Sequence, residues 1–461
     1  TVLQRATVNG YHDHNFLTIS ERRSEHLGDK APDLMTRQRL HKVRAGSVVL
    51  ATGAHERPLV FANNDLPGCM VASSLSHYIR RFAVVPGNTL VVMTSNDSGY
   101  QSAFDWQEAG RKVVAIVDTR RDPDGNVTEQ ALRQGIKVIT GSAIIEARGR
   151  KRVTGALVTP INTGATFVTG DSQLLPCDTI ATSGGWSPVV HLSCHTGSRP
   201  VWSEEALGFV PGDTTEQRWS AGAMAGLQSV GACLRDGMQA GSDAAAAAGF
   251  PGTADAAEWP STSSGNEVVC EPMPLFLVPH SKPSSRAPAQ FVDMQNDVTA
   301  AGIQMTTREG FESIEHVKRY TALGFGTDQG KTGNINGMAI VARSLGKTMA
   351  ETGTTVFRPN YTPVSFGVVT GAHTDLLFDP QRFTPMHSWH LEHGAQFENV
   401  GQWKRPLYFA QGDETLEQAI AREQLATRNG VGILDASTLG KIDIQGKDAR
   451  EFLGRVYTNA W

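Results

Sequence analysis

Two groups of residues in this 461-residue chain have types and spacing suited to chemistry. The first is Glu315 to Gly333, EHVKRYTALGFGTDQGKTG, which sets Lys318, Arg319, Tyr320, Thr321, Gln329, Lys331 and Thr332 around four glycines. Two kinds of cation, a phenol, hydroxyls and glycine-exposed N–H groups could together hold a phosphate or an electron-rich ring. The tail GTDQGKT comes close to a P-loop, which needs Gly, four residues, then Gly-Lys-Ser/Thr, opening a helix directly after a buried strand. It fails on spacing, because five positions before Gly330 stands Phe325, with Gly324 and Gly326 on either side. It also fails on context, because Ile314, Val317 and Tyr320 recur at helical spacing in FESIEHVKRY, so a helix precedes the glycines. This argues against a nucleoside triphosphatase. A helix followed by a Gly-rich loop that positions a cofactor or partner stands beside the plainer reading of a solvated basic helix end.

The second group consists of small residues at strand ends. SVVLATGAHERP reads as a buried strand ending in Ala51, Thr52, Gly53 and Ala54, small enough for another molecule to approach the backbone. Ligands of open α/β sheets lie outside the carboxyl ends of strands. The phrase ATGAHERP resembles the second nucleotide-contacting strand of two-dinucleotide-domain flavoproteins, the disulfide-reductase-like group. Further on, RWSAGAMAG gives a short strand and a Gly222-Ala223 turn before a long Ala/Gly-rich helix. In that group such a closing turn lays backbone N–H groups and a helix N-terminus near the cofactor.

Other candidates are weaker. His387, His390 and His393, with Glu392 and Glu398, are spaced i, i+3, i+6, which fans the rings over about 120° of a helix and prevents easy convergence on one metal. HLSCH pairs Cys194 with His195 but has no second ligand cluster, and no GxSxG turn or Ser/His/Asp order supports a hydrolase.

The elements that must carry these groups form an α/β chain. Val2 to Val8, Phe16 to Glu21 and Gly46 to Leu50 read as a small sheet. From Gly87, NTLVVMTSNDSGYQSAFDWQEAGRKVVAIVDTR reads strand, turn, helix, strand, with Asp118 where a dinucleotide fold keeps its ribose-binding acid. Its turn holds Thr94, Ser95, Asn96 and Asp97 where the fingerprint needs glycines, and only Gly99 remains, so we expect this fold to lack its ligand. At Cys177 the chain is expected to return to the first domain with CDTIATSGGWSPVVHL. Residues 251–290 hold seven prolines and six serines and read as a linker or wrapping segment. FVDMQNDVTAA, Phe311 to Tyr320 and Gly337 to Leu345 read as short helices. The expected organisation is a first nucleotide-binding domain over 1–86 and 176–250 with a degenerate second one over 87–175. A helical domain over 291–355 and an incomplete α+β domain over 356–461 follow.

About three domains suit this length. A net charge of −4 shows no basic excess, so nucleic acid is not an expected partner. No long apolar stretch or signal-like start is present, which points to a cytoplasmic protein off the membrane. The five cysteines, Cys69, Cys177, Cys194, Cys233 and Cys270, form no CxxC pair, as suits a reducing compartment.

Taken together, ATGAHERPLVFANNDLPG, TSGGWSPVVHL, FVDMQNDVTAA, EHVKRYTALGFGTDQGKTG, FRPNYTPVSFG and GQWKRPLYF with LDASTLGKIDIQGKDA resemble the alpha subunit of heterotetrameric sarcosine oxidase, in order and along essentially the whole chain. The resemblance implies NAD on the nucleotide domain, at Ala51, Thr52, Gly53, Ala54, Gly222 and Ala223. It implies a carboxyl-terminal aminomethyltransferase-like domain that binds tetrahydrofolate, and beta, gamma and delta partner subunits. Sarcosine is oxidised on beta at FAD, electrons pass to FMN between beta and alpha, oxygen leaves as hydrogen peroxide, and folate traps the carbon. Lys318, Arg319, Tyr320, Thr321, Gln329, Lys331 and Thr332 are the expected FMN and beta-subunit face. A Gly-rich turn upstream of Val48 and a continuation past Trp461 are both missing from the pattern, and the chain starts at Thr1, so a piece lacking both ends, inactive alone, is expected. The alternatives are an alpha-type subunit of a hydroxyproline or opine dehydrogenase, and a non-catalytic nucleotide-binding scaffold. The former usually needs four cluster cysteines, whereas Cys270 is the only cysteine after Met238.

Overall fold

The structure, a computed structural model, describes residues 1–123, 125–252, 272–372 and 378–459. The chain divides into two compact units, Thr1–Ser365 and Phe366–Trp461.

The first unit is built on a five-stranded parallel sheet in the order Cys69–Val71, Thr179–Ser183, Thr89–Thr94, Lys112–Asp118, Val138–Ile139. Successive side chains of a strand point to opposite faces. Leu90, Val92, Ile116 and Ala181 accordingly join Leu75, Tyr100 and Trp106 of the helices Ala72–Phe82 and Tyr100–Glu108. Val91, Met93, Val117 and Ile180 face the antiparallel sheet Ser142–Gly149, Val153–Pro160, Gln173–Pro176 through Ile144, Ala156 and Leu175. With both faces covered, the middles of these strands are apolar, as in parallel strands generally. The strand Thr179–Ser183, placed with the first domain from sequence, is instead hydrogen-bonded between Cys69–Val71 and Thr89–Thr94. Its five residues are all buried, a condition met only at an inner position of this sheet.

The first domain has its own small sheets. Ala6–His12, Phe16–Arg22 and Gln38–Arg44 form an antiparallel meander, while Val48–Leu50 pairs in parallel with Arg218–Ser220. The third strand of the meander is therefore Gln38–Arg44 rather than Gly46 to Leu50; its charges, QRLHKVR, hid a strand with no fully buried residue.

Phe291–Asp293 and Val298–Thr299 form a hairpin where FVDMQNDVTAA suggested a helix. Asp293 Oδ1 accepts from the amides of Gln295 and Asn296 at 2.9 and 3.1 Å, and this aspartate turn competes with the helix. The helix begins at Ala300, with Thr299 Oγ1 accepting from Gly302 N at 3.1 Å. Helices Ala300–Arg308, Ile314–Thr321 and Asn334–Leu345 then close around Ile303, Ile314, Val317, Leu323 and Val341. Of the expected linker, residues 272–290 wrap the unit: Met273 N donates to Ser95 O, Val278 N to Val60 O, and Leu275 and Val278 are buried. Residues 253–271 of that segment, with Cys270, lie outside the described residues.

The division after Ser365 leaves residues 356–365 in the first unit, where Tyr361 is buried, although the sequence assigns them to the last domain. The second unit holds a sheet in the order Arg382–Phe383, Trp403–Phe409, Ala395–Val400, and the helices His387–Glu392, Leu416–Asn429 and Ala449–Val456. No helix among the described residues is long and apolar enough to cross a membrane.

Candidate functional site

Parallel pairing of Val48–Leu50 with Arg218–Ser220, extended by Ala221 N donating to Leu50 O at 2.9 Å, brings both predicted small-residue turns to one sheet edge. Thr52 Oγ1 donates to Val189 O at 2.6 Å and Val189 N donates to Gly53 O at 2.9 Å, which ties the ATGA stretch to the segment after Gly185. Gly53 has φ 77°, and an added Cβ would meet nothing within 4 Å. Beside these turns lies a cavity of about 490 Å3. Of the six expected cofactor residues, Ala54 and Ala223 line it, with Trp186, Pro188, Leu227 and Cys233. Gly222 does not offer a free amide: its N–H donates to Asp236 Oδ2 at 2.8 Å, from the helix Val230–Ala247. Small, mostly apolar walls at strand ends fit a nucleotide, but the N–H contact expected from Gly222 is already used.

The turn of the second nucleotide fold is filled by its own side chains. Asp97 Oδ1 lies 2.7 Å from Arg120 Nη2, and the same guanidinium lies 2.8 Å from Asp118 Oδ2. Tyr100 OH donates to Asp118 Oδ2 at 2.9 Å, and both aspartates are fully buried. Burial and the Asp118 carboxylate push the Tyr100 phenol well above its usual range. Asp118, in the ribose-acid position, is thus committed to Arg120 and Tyr100.

In the Gly-rich stretch, Gly324, Gly326 and Gly330 have φ of 71°, 67° and 75°. A Cβ at Gly330 would strike the Asn334 side chain, and one at Gly326 the Gln295 amide. Gly324 N donates to Asp293 Oδ2 at 2.8 Å and Asp328 N to Gln295 Oε1 at 2.7 Å. The glycines therefore let the loop close around Asp293, Gln295 and Asn334 of its own module, not around a phosphate. Lys331, expected to be an open cation, points inward. Its ammonium donates to the carbonyls of Thr327, Asp328 and Tyr361 at 3.1, 3.2 and 3.0 Å and lies 4.2 Å from the Tyr361 ring centroid. Gln329 Nε2 donates to Gly326 O at 2.6 Å, and Thr332 Oγ1 donates to Asp328 Oδ1 at 3.3 Å. Thr321 Oγ1 donates to Val317 O at 2.7 Å. The outward part of the face is Arg319, bonded to Glu315 one turn earlier at 2.8 Å, and Tyr320 at 50% exposure, while Lys318 is half-buried with its ammonium 5.8 Å from the Phe325 ring centroid.

Behind Lys331 lies a cluster that the sequence did not reveal. The Tyr361 ring stacks on His191 at 4.0 Å and 12°, with His55 at 6.4 Å on the same ring, and His191 packs on His195 at 5.9 Å. Burial, with the neighbouring imidazoles and Lys331, drives His191 down to about 3. Burial likewise takes His195 to about 4. The HLSCH phrase was the available signal, but its use is a neutral aromatic stack rather than a metal or a thiolate; burial raises the Cys194 thiol.

In the second unit the three spaced histidines take three different partners. His390 Nε2 pairs with Asp435 Oδ2 at 2.8 Å, His393 stacks on Trp389 at 3.9 Å, and His387 packs between Phe383 and Phe397. Hydrogen bonds from Ser437 and His390 hold the Asp435 carboxyl well below the usual range.

Comparison with known proteins adds the family context. Residues 287–373 match the family model described as the sarcosine oxidase A3 domain, and residues 386–461 match the GCVT N-terminal domain. The whole chain is 41% identical over 464 residues to a sarcosine oxidase subunit alpha from Corynebacterium sp. (strain P-1), covering 47% of that protein. It is 39% identical over 461 residues to the subunit alpha of Rhizobium meliloti (strain 1021), covering 44% of it. The chain thus spans about half the length of the curated relatives it matches. A probable aminomethyltransferase of Thermococcus gammatolerans is 42% identical over 71 residues, 15% of this chain and 16% of that one. Among solved structures, L-proline dehydrogenase from P. horikoshii superposes with a TM-score of 0.53 at 18% identity, over 79% of this chain and 64% of that one; this likeness concerns the fold.

Proposed function

From a chain homologous along its full length to sarcosine oxidase alpha subunits, we propose that it serves as the alpha-type subunit of a multi-subunit sarcosine oxidase. The whole complex would convert sarcosine to glycine, with hydrogen peroxide and 5,10-methylenetetrahydrofolate or formaldehyde as the other products. The observation that carries this reading is the end-to-end 41% identity, joined to a strand-end cavity of the type that holds nucleotides.

In this reading NAD lies against Ala54 and Ala223, with Ala51, Thr52, Gly53 and Gly222 shaping the turns that position them. Arg319 and Tyr320, with the half-buried Lys318 beside them, present the face to FMN and the beta subunit, while Thr321, Gln329, Lys331 and Thr332 shape that face from within. The flavins, when bound, accept and pass the electrons. The part of this chain is to bind, to orient and to exclude water, with FAD and the amine pocket assigned to the beta subunit. Residues 386–461 would contribute to a tetrahydrofolate site; gamma and delta subunits complete the assembly, and the cytoplasm is its compartment. The 461-residue chain by itself is proposed to lack sarcosine oxidase activity.

The test is sarcosine-dependent peroxide formation by the full-length protein assembled with its partner subunits, set against L-proline, hydroxyproline and an opine as substrates. Turnover of sarcosine at least tenfold above the others supports the reading. Preference for one of the others would transfer the chain to the related amino-acid dehydrogenases, and no oxidation at all would leave a nucleotide-binding scaffold.

A further inference from the structure

The apolar cavity at the strand ends has one wall whose origin lies in the other nucleotide fold. Trp186 lines the cavity together with Ala54, Pro188, Leu227 and Val230. Its indole Nε1 donates to Ser98 Oγ at 3.0 Å. Ser98 Oγ in turn donates to Asn96 Oδ1 at 2.5 Å, and Asn96 Nδ2 donates to Ser183 O at 3.2 Å and to Ser183 Oγ at 3.0 Å. Asn96 and Ser183 are completely buried, so this chain of bonds is anchored in the core. The loop that would cradle a pyrophosphate in a working dinucleotide fold instead fixes the plane of an indole.

We propose that Trp186 is the ring platform of the cavity, against which a flat heteroaromatic ring of the bound dinucleotide lies. The indole's polar edge is already satisfied by Ser98, so what it offers the cavity is its π-face. Most of the other walls, Ala54, Pro188, Leu227, Val230 and Leu234 among them, are aliphatic, with Gln228 and Ser98 as polar members, a lining that suits the face of a planar ring better than a phosphate. An aromatic held in one orientation loses little side-chain freedom on binding, so the contact gains from preorganisation. Ser98 and Asn96 are positioning residues, acting through Trp186. This gives the phosphate-binding turn lost from the second fold a role in the first. The assignment rests on the nucleotide reading above, and the ring is either the adenine or the nicotinamide of the same molecule.

The test is titration calorimetry on the full-length protein, stripped of nucleotide, with NAD, ADP-ribose and nicotinamide mononucleotide, for the wild type, Trp186→Leu, Trp186→Phe and Ser98→Ala. Trp186→Leu should weaken NAD between about five- and 150-fold, the worth of one stacked base. Trp186→Phe, which keeps an aromatic face, should stay within a few-fold of wild type, and Ser98→Ala should fall between the two. The half-molecule whose binding drops in Trp186→Leu identifies the ring. The proposal is overturned if Trp186→Leu binds NAD as the wild type does, or if Trp186→Phe loses as much as Trp186→Leu. Failure of the wild type to bind any of the three would overturn the nucleotide reading itself, and the platform with it.

Discussion

The ammonium of Lys331 lies 4.2 Å from the centroid of the Tyr361 ring and donates at 3.0 Å to the carbonyl of the same residue. Two further carbonyls, of Thr327 and Asp328, accept from the same ammonium, and burial lowers its pKa. Lys331 therefore holds the Gly-rich loop to the segment that carries Tyr361. Lys331→Met should destabilise the first unit by about 1–3 kcal/mol, since three carbonyls lose a charged donor. Arg319→Met, which breaks only an exposed pair with Glu315, should stay within about 0.5 kcal/mol. Urea denaturation of both variants checks the ordering.

The stack of His191 on Tyr361 gives stability a pH dependence. The folded value of His191, about 3, lies below its ordinary value of 6.5, so the folded state holds it neutral while the unfolded state takes up a proton. Its contribution is complete above pH 6.5 and is lost as pH falls toward 3. By pH 5 that loss is about 2 kcal/mol. His191→Phe keeps a flat ring on Tyr361 without the titration. Its stability should fall less than that of the wild type between pH 7 and 5, as read from urea midpoints; parallel curves would contradict the assignment.

The buried Asp97, Arg120 and Asp118 group should behave as one unit. Arg120→Met leaves two buried carboxylates without the guanidinium that joins them, a change of about 3–5 kcal/mol. Adding Asp97→Asn to that variant removes one of the two charges and should restore part of the loss. A double-mutant cycle with no coupling would mean that the three groups act separately.

What was legible in the chain, and what was not, follows physical lines. The strand Thr89–Thr94 and the helix Ile314–Thr321 were readable because burial on both faces, or on one stripe, leaves a periodic trace. The hairpin at Phe291–Asp293 was not, since the bonds from Gln295 and Asn296 to Asp293 override an otherwise helical spacing. The two small-residue turns were recognisable at strand ends, and parallel pairing of the strands before them brings them together. Gly222 was misread as a free amide because Asp236, which takes it, is fourteen residues away in the next helix. Lys331 looked exposed for a similar reason. Its partner Tyr361 is thirty residues further on, and no local pattern links the two. The His191 and Tyr361 stack joins positions 170 residues apart, a distance over which residue spacing says nothing.

Glycine substitutions separate the two loops. Gly53 and Gly330 both have positive φ, 77° and 75°, so alanine strains either backbone by about 1 kcal/mol or more. At Gly53 the added methyl meets nothing, whereas at Gly330 it strikes Asn334. Gly330→Ala should therefore lower the melting temperature more than Gly53→Ala, and equal shifts would show that the loop does not close around Asn334.

The most direct test of the account is the nucleotide content of the full-length protein, assembled with its partner subunits, before and after the strand-end cavity is filled. Ala54→Trp places a large side chain at the wall of a cavity that neither Arg319 nor Tyr320 lines. The account predicts that acid extraction releases NAD from the wild type and little from Ala54→Trp, while FMN and FAD contents are the same in both. Absence of NAD from the wild-type complex, or full retention of NAD in Ala54→Trp, would contradict it.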